Sequence, residues 1–162
     1  MTKSVSARNV TTVYTYAYDA FPLGRLMSVQ EGSKTPTTFT YYEPSGLLHT
    51  LTAPKAGGSG GTVTTTYTYD SLGNVLTVAA PGNNAASAVT TTYDYTADGD
   101  YSQSAALGQP LTATDNLGNI THFRYDAQGN VVSVTDALGN ETDMSYDTAN
   151  QPTVTILPAT GQ

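Results

Sequence analysis

A five-residue polar motif recurs along this chain and constrains its fold more than any other feature. It consists of an aspartate, two variable residues, a glycine and an asparagine, and a short run rich in Val, Leu or Thr usually follows. The regular copies are Asp70–Asn74, Asp115–Asn119, Asp126–Asn130 and Asp136–Asn140. Aspartate favours the first position of a type I turn because its side chain accepts backbone N–H bonds, and glycine tolerates the positive φ that closes a hairpin loop. Each copy therefore predicts a β-hairpin turn.

Three further segments are variants of the same turn. Glu43–Gly46 has glutamate first and Pro44 second, Asp147–Asn150 has asparagine in place of glycine, and Asp19–Gly24 carries two extra residues. A tyrosine precedes most of the turns. The predicted turn residues are Tyr18, Asp19, Gly24, Tyr42, Glu43, Gly46, Tyr69, Asp70, Gly73, Asp115, Gly118, Tyr125, Asp126, Gly129, Asp136, Gly139, Tyr146 and Asp147.

The segments between the turns alternate with a period of two. In the run from Val63 to Tyr69, Val63, Tyr67 and Tyr69 fall on one face and threonines on the other, which is typical of a β-strand. Tyrosine-turn units recur at intervals within the range of repeat proteins, and the last four turn aspartates are almost evenly spaced. The sequence therefore predicts an all-β fold: a repetitive antiparallel hairpin meander of about ten to fourteen strands, forming a curved sheet or a segment of a β-shell or solenoid.

Composition excludes several classes of function. Charged residues make up 12% of the chain, about half the usual fraction, and the net charge is −7. Seven of the 13 acidic residues occupy turn positions, so most of the negative charge is explained by residues that form turns. The six basic residues are scattered, which argues against nucleic-acid binding. There is no cysteine, and no apolar run is long enough for a membrane-spanning helix.

We interpret residues 1–162 as a single repeat array and as a fragment of a longer chain. Irregular loops are predicted near residues 53–61, 80–88 and 97–106, where glycine, proline and small polar residues interrupt the rhythm. No helix is predicted.

The candidates for chemistry are few. Asp94, Asp98 and Asp100 offer closely spaced oxygen ligands, but their spacing departs from a calcium loop, and we favour a solvated insertion loop. His49 and His122 are far apart in the sequence and form no catalytic pattern, so each is interpreted as an exposed or packed strand residue. The tyrosine rows could bind sugars, although tyrosine beside a turn is first a packing residue. No cofactor and no metal are expected.

The pattern Tyr-Asp-x-x-Gly-Asn followed by an aliphatic run resembles the YD repeat of the Rhs family. The segments Tyr69–Leu76 and Tyr125–Val132 carry it best, Tyr146-Asp147 and Tyr18-Asp19 carry it in part, and Tyr42-Glu43 is degenerate. The resemblance covers roughly residues 12–156 and departs most after Asp94. It implies repeats that coil into a shell, as in bacterial polymorphic toxins, toxin-complex subunits and teneurins. The family's Asp-Pro self-cleavage pair is absent from this sequence.

The expected function is therefore a non-catalytic shell segment of a secreted or cell-surface protein, enclosing a toxin or other cargo. The alternative is an adhesive or carbohydrate-binding β-repeat module on a cell surface or filament. The expected partners are the rest of the parent chain or its cargo. Unpaired sheet edges also predict self-association, through residues 14–18 or through the strand from Asn150 to Ile156.

Overall fold

The protein is described by a computed structural model covering residues 2–5, 10–18, 24–56, 60–82, 88–96 and 108–158. These residues form thirteen strands and no helix. The strands are β1 (Thr2–Val5), β2 (Thr11–Ala17), β3 (Arg25–Glu31), β4 (Thr37–Tyr41), β5 (Leu48–Pro54), β6 (Thr62–Tyr69), β7 (Val75–Pro81), β8 (Ala88–Asp94), β9 (Thr112–Thr114), β10 (Ile120–Tyr125), β11 (Val131–Thr135), β12 (Glu141–Tyr146) and β13 (Pro152–Ile156).

Hydrogen bonds join these strands in chain order, so each strand lies beside its neighbours in the sequence. This order is that of a meander of consecutive hairpins, and it confirms the predicted all-β repeat. Proline ends β5 at Pro54 and β7 at Pro81, so both strands extend slightly into segments predicted as loops. No helix long and apolar enough to cross a membrane occurs in the part of the chain that the structure describes.

Contacts divide the chain into two units. The first comprises residues 1–69 and 78–88, and the second comprises residues 70–77 and 89–162. The single-array organisation predicted from the sequence stays a prediction.

In the first unit, antiparallel pairing separates an uncharged polar face from an aromatic face. The register places Thr15, Ser28, Thr38, Thr52 and Thr64 in one row across β2 to β6. The Oγ1 atoms of Thr52 and Thr64 lie 2.8 Å apart, within hydrogen-bond distance. Cross-strand threonine pairs of this kind stabilise a sheet, and they give a physical reason for the high threonine content.

In the second unit, one face is likewise polar and the other is apolar. Arg124 lies opposite Ser133, and Ser133 lies opposite Asp143, so one face carries charge across β10, β11 and β12. Phe123 lies opposite Val134 on the other face. Among the described apolar side chains, Leu111 alone is fully buried, at 2% exposure.

Candidate functional site

Four turns of the second unit share one hydrogen-bond pattern. In the turn from Asp126 to Asn130, the N–H of Gly129 donates to the carbonyl of Asp126 at 3.0 Å, which closes a β-turn. Oδ1 of Asp126 accepts the N–H groups of Gln128 at 3.0 Å and Asn130 at 2.8 Å, and Oδ2 accepts the side-chain amide of Asn130 at 2.9 Å. The same bonds hold the turns that begin at Asp70, Asp115 and Asp136.

These hydrogen bonds favour the ionised form of each aspartate. The asparagine side-chain amide, joined by backbone N–H groups, lowers the pKa of Asp115, Asp126 and Asp136 below its ordinary value. At Asp70 partial desolvation acts to raise the pKa, but the bonds from Asn74, Leu72 and Gly73 outweigh it, and the net pKa is lowered. The carboxylates are thus stabilised as acceptors rather than tuned as catalytic acids.

The glycine of each turn has the positive φ that the motif predicts. Gly129 has φ +89° and Gly139 has φ +84°. In the variant at Asp147, Asn150 occupies the glycine position with φ +60°, as predicted. Its side chain adds a contact that glycine lacks, because Oδ1 of Asn150 accepts the amide of Asn130 at 3.0 Å. The asparagine therefore joins the turn at Asp147 to the turn at Asp126.

The segment around Glu43 differs from its prediction. The loop closes between the N–H of Tyr42 and the carbonyl of Leu47, so it encloses one residue more than the regular turns. Glu43 does not act as the turn acceptor, since its carboxylate forms an ion pair with Arg25 on β3. The hydroxyl of Ser45 accepts the N–H of Leu47 instead, at 3.3 Å. Arg25 also lies 5.3 Å from the ring centroid of Tyr41, which contributes a cation–π contact.

The tyrosine hydroxyls carry a second recurring contact. Tyr125 donates to the carbonyl of Pro110 at 2.9 Å, Tyr146 to that of Val131 at 3.0 Å, and Tyr95 to that of Val75 at 3.0 Å. In the first unit Tyr41 donates to Leu26, Tyr69 to Leu48 and Tyr42 to Tyr67. In five of these six bonds the acceptor lies at or close to the start of an earlier strand. We call these five bonds, formed by Tyr41, Tyr69, Tyr95, Tyr125 and Tyr146, tyrosine locks.

Burial supports the role of the locks as neutral donors. It raises the pKa of Tyr41, Tyr69, Tyr95 and Tyr125, because a phenolate is poorly solvated there. Each lock ties the end of one hairpin to the beginning of an earlier strand.

Removing the hydroxyl of Tyr125 tests the strength of a lock. Tyr125→Phe is expected to lower the free energy of unfolding by about 1–3 kcal/mol, because the carbonyl of Pro110 loses its donor. Tyr93→Phe serves as the matched control, since the hydroxyl of Tyr93 makes no hydrogen bond in the described part of the second unit. Urea unfolding followed by circular dichroism measures both. If both variants lost the same free energy of unfolding, the hydrogen bond from Tyr125 to Pro110 would not stabilise the fold.

The locks distinguish two edges of the second unit. Tyr125 and Tyr146 end β10 and β12 and precede the turns on one edge, whereas Thr114 and Thr135 end β9 and β11 and precede the turns on the other. On the tyrosine edge, adjacent loops touch: Nε2 of Gln109 donates to the carbonyl of Gly129 at 2.6 Å. On the threonine edge, a Cβ added at Gly118 or Gly139 would meet nothing within 4 Å. At these glycine positions, a neighbouring loop is therefore close at Gly129 on the tyrosine edge and not at Gly118 or Gly139 on the threonine edge.

The charged residues of the polar face pair with each other. Arg124 donates to Oε1 of Glu141 at 2.6 Å and lies 3.9 Å from Oδ1 of Asp143. Ser133 donates to the same glutamate oxygen at 2.6 Å and is only 1% exposed. A buried hydroxyl bound to an ion-paired carboxylate is inaccessible to a substrate, so this cluster fits a structural role.

The other candidate residues do not converge. Oδ1 of Asp94 accepts the N–H and the hydroxyl of Thr96, which lowers its pKa, and Asp98 and Asp100 lie outside the described residues. No group of three potential metal ligands occurs within the described ranges. His49 packs against the ring of Tyr42 at 4.4 Å. His122 lies on β10 opposite Thr112 and Thr135.

The turn predicted from Asp19 to Gly24 can be placed only in part. Tyr18 is 65% exposed, and Gly24 has φ +74°, while Asp19 lies outside the described residues. The sequence did not predict which backbone carbonyls accept the hydrogen bonds from the tyrosine hydroxyls. One signal could have found the edge they occupy: between residues 112 and 156 the turns recur at a nearly constant interval, but tyrosine precedes every second turn.

The comparisons with known proteins agree with this geometry. A family model described as RHS Repeat matches residues 106–141 and residues 125–162. The crystal structure of TcdB2-TccC3-TEV matches 93% of this chain and 8% of its own, at 22% sequence identity and a TM-score of 0.58. The crystal structure of TcdB2-TccC3 matches 99% of this chain and 11% of its own, at 16% identity and a TM-score of 0.38. At such low sequence identities, these matches show similarity of fold alone. The similarity of fold is supported by the TM-score of 0.58 with the first structure. No curated protein matches the chain.

Proposed function

We propose that this chain is an RHS-type repeat array and a non-catalytic wall segment of a larger secreted or cell-surface protein whose repeats enclose a cargo. The chain spans about a tenth of the length of the solved chains it matches. The enclosing role and the location outside the cytoplasm are therefore proposals about the parent protein.

The tyrosine lock is the observation that carries this proposal. A wall made of hairpins needs each hairpin to be fixed to the preceding one, since a single hairpin is only marginally stable in water. The bonds from Tyr95, Tyr125 and Tyr146 to earlier strands supply three such fixing points in the described part of the second unit. Stability then arises from contacts between neighbouring repeats, as in other repeat proteins.

The distribution of burial favours a wall over an independent globular domain. Leu111 is the single fully buried apolar side chain among those described, whereas Leu72, Leu117 and Leu138 at the turns are largely exposed. Globular domains of this length bury a core in which many side chains are inaccessible. A sheet with few inaccessible side chains fits a protein layer that packs against further parts of a longer chain.

The locks also bear on the alternative, a carbohydrate-binding module. Sugar sites present aromatic faces together with hydrogen-bond donors for the sugar hydroxyls. Tyr41, Tyr42, Tyr69, Tyr95, Tyr125 and Tyr146 already donate to carbonyls of the chain. Using these hydroxyls for a sugar would require breaking contacts between repeats, so the wall segment is the function we propose.

Protection from protease tests the wall function in the parent protein. The full-length chain is expected to resist limited trypsin digestion in its enclosed part, and deletion of residues 108–156 is expected to expose that part to cleavage. A full-length chain carrying Ser71→Ala, a change at an exposed turn position, serves as the control. Identical cleavage patterns with and without the segment would contradict the wall. Retention of this chain on a glycan panel, lost on Tyr→Ala substitution, would support the alternative.

A further inference from the structure

Three asparagines of the chain stand in the pattern Asn-x-Thr, which is the acceptor sequence for N-linked glycans. Asn9 lies outside the described residues, whereas Asn119 and Asn140 end two turns of the second unit. Both of these turns belong to the threonine edge. The asparagines that hold the same position in the turns at Asp70 and Asp126, which follow a tyrosine, lack the threonine two residues later. The acceptor pattern therefore separates the two kinds of turn.

The two threonine-edge turns are accessible. Asn119 and Asn140 are both exposed. Leu117 and Leu138, two residues before them, are 81% and 88% exposed. A Cβ added at the glycine that precedes either asparagine would meet nothing within 4 Å. A sugar attached to either side chain would therefore extend away from the described part of the chain.

The hydrogen bonds of these asparagines leave room for a substituent on the amide nitrogen. An asparagine amide has two N–H donors. Nδ2 of Asn119 donates to Oδ2 of Asp115 at 2.7 Å, and Nδ2 of Asn140 donates to Oδ2 of Asp136 at 2.8 Å. Within the described ranges, each of these nitrogens makes that bond alone. One hydrogen of each amide can therefore be replaced while the bond to the turn aspartate is kept.

Asn130 occupies the same turn position and has no hydrogen to spare. Its Nδ2 donates to Oδ2 of Asp126 at 2.9 Å and to Oδ1 of Asn150 at 3.0 Å. Its side chain is also part-buried, whereas those of the threonine edge are exposed. A substituent on this nitrogen would break one of the two bonds, so the fold itself distinguishes Asn130 from the two acceptor asparagines.

We propose that Asn119 and Asn140 accept N-linked glycans when the parent protein is exported, a condition that rests on the proposed function. Nδ2 attacks the anomeric carbon of a sugar carried on a polyprenyl pyrophosphate. A C–N bond forms, the C–O bond to the pyrophosphate breaks, the pyrophosphate leaves, and the nitrogen loses one proton. The product amide retains one N–H, which continues to donate to the turn aspartate, so the turn is preserved.

Site mapping in the full-length parent protein tests the proposal. A cleavable signal sequence directs the protein into the secretory pathway of a eukaryotic cell even if its natural location is cytoplasmic, so the result is independent of the proposed function. Thr11→Val removes the acceptor pattern at Asn9 from every version. Enzymatic release of N-glycans in heavy-oxygen water labels each former glycosylation site for peptide mass spectrometry. We expect both Asn119 and Asn140 to be labelled in the secreted protein.

Substitution of the two threonines separates the sites. Thr121→Val is expected to remove the label from Asn119 alone, and Thr142→Val from Asn140 alone. Each variant keeps the asparagine and its bond to the aspartate, so the turn is unchanged. Absence of the label from either asparagine in the unsubstituted protein would overturn the proposal.

Val132→Thr supplies the matched comparison, because it creates the same acceptor pattern at Asn130. We expect Asn130 to be unlabelled in the secreted protein, since a glycan there breaks an amide bond that the turn uses. Val132→Ala alters the same side chain without creating the pattern and reports the effect of the substitution on secretion. Loss of secretion in Val132→Thr alone would equally support the proposal. Labelling of Asn130 as complete as that of Asn119 and Asn140 would contradict the structural basis of the choice.

Discussion

Replacing Gly129 with alanine is expected to lower the free energy of unfolding by about 2–4 kcal/mol, roughly twice the loss expected for Gly139→Ala. Both residues have a positive φ, +89° and +84°, so both substitutions place a side chain in a conformation that costs about 1–2 kcal/mol. At Gly139 the added Cβ meets nothing within 4 Å. At Gly129 it would lie 2.9 Å from Nε2 of Gln109, which must move.

The movement of Gln109 accounts for the additional loss. Its Nε2 donates to the carbonyl of Gly129 at 2.6 Å, and this bond joins two loops of the tyrosine edge. Displacing the amide breaks the bond and leaves the carbonyl without its donor, at a cost of about 1–2 kcal/mol. The comparison of the two variants therefore separates the conformational cost, which they share, from the contact between loops.

Urea midpoints of the two variants measure the difference. Gly118→Ala is a second control, since Gly118 has φ +84° and its added Cβ also meets nothing within 4 Å. The double variant Gly129→Ala/Gln109→Ala should be about as unstable as Gly129→Ala, because the bond from Gln109 is already lost in the single variant. If Gly129→Ala were no more destabilising than the two controls, the tyrosine edge would not depend on contacts between its loops.

The turns could be predicted from the sequence because their determinants are local. The carboxylate of Asp126, the positive φ of Gly129 and the amide of Asn130 all act within a single turn. The segment at Glu43 is the exception. Glu43 occupies the position of a turn acid, but its carboxylate pairs with Arg25, which lies on β3 and is distant in the sequence. Local pattern alone does not show a partner on another strand.

The carbonyl groups that accept hydrogen bonds from the tyrosine hydroxyls could not be predicted either, because they lie on other parts of the chain. Tyr125 reaches the carbonyl of Pro110, just before the adjacent strand β9, and Tyr69 reaches that of Leu48, at the start of the adjacent strand β5. Which carbonyl a hydroxyl reaches depends on strand register and on the bulges before the turns, such as the shift between Arg124 and Tyr125. The sequence predicted that tyrosine packs beside the turn, and the fold added the contact between repeats.

Acid is expected to unfold the protein in a narrow range below pH 4, with little change in stability between pH 7 and pH 5. Hydrogen bonds from the turn amides hold the pKa of Asp115, Asp126 and Asp136 below the ordinary value of 3.8. A group whose pKa is lower in the folded state stabilises that state above its unfolded pKa, and the stabilisation is lost as the pH falls through the folded pKa.

The recurrence of the motif makes this loss cooperative. The same carboxylate acceptor holds the turns at Asp70, Asp115, Asp126 and Asp136, so protonation weakens all of them in one pH range. A protonated carboxyl keeps an acceptor oxygen but cannot serve the three donors equally well, so the hydrogen bonds that hold the turn are weakened. Because each turn fixes the register of two strands, weakening several turns together loosens neighbouring hairpins.

Thermal unfolding from pH 7 to pH 2 measures the expected loss. The triple variant Asp115→Asn/Asp126→Asn/Asp136→Asn should be less stable at pH 7 and flatter in acid, because its turns have no carboxylate to protonate. Asp143→Asn, which removes a carboxylate on the polar face 3.9 Å from Arg124, should keep the steep acid transition. A wild-type transition centred near pH 6 would instead indicate histidine, whose ordinary pKa is about 6.5. A triple variant as acid-sensitive as the wild type would show that the turn carboxylates do not hold the sheet together.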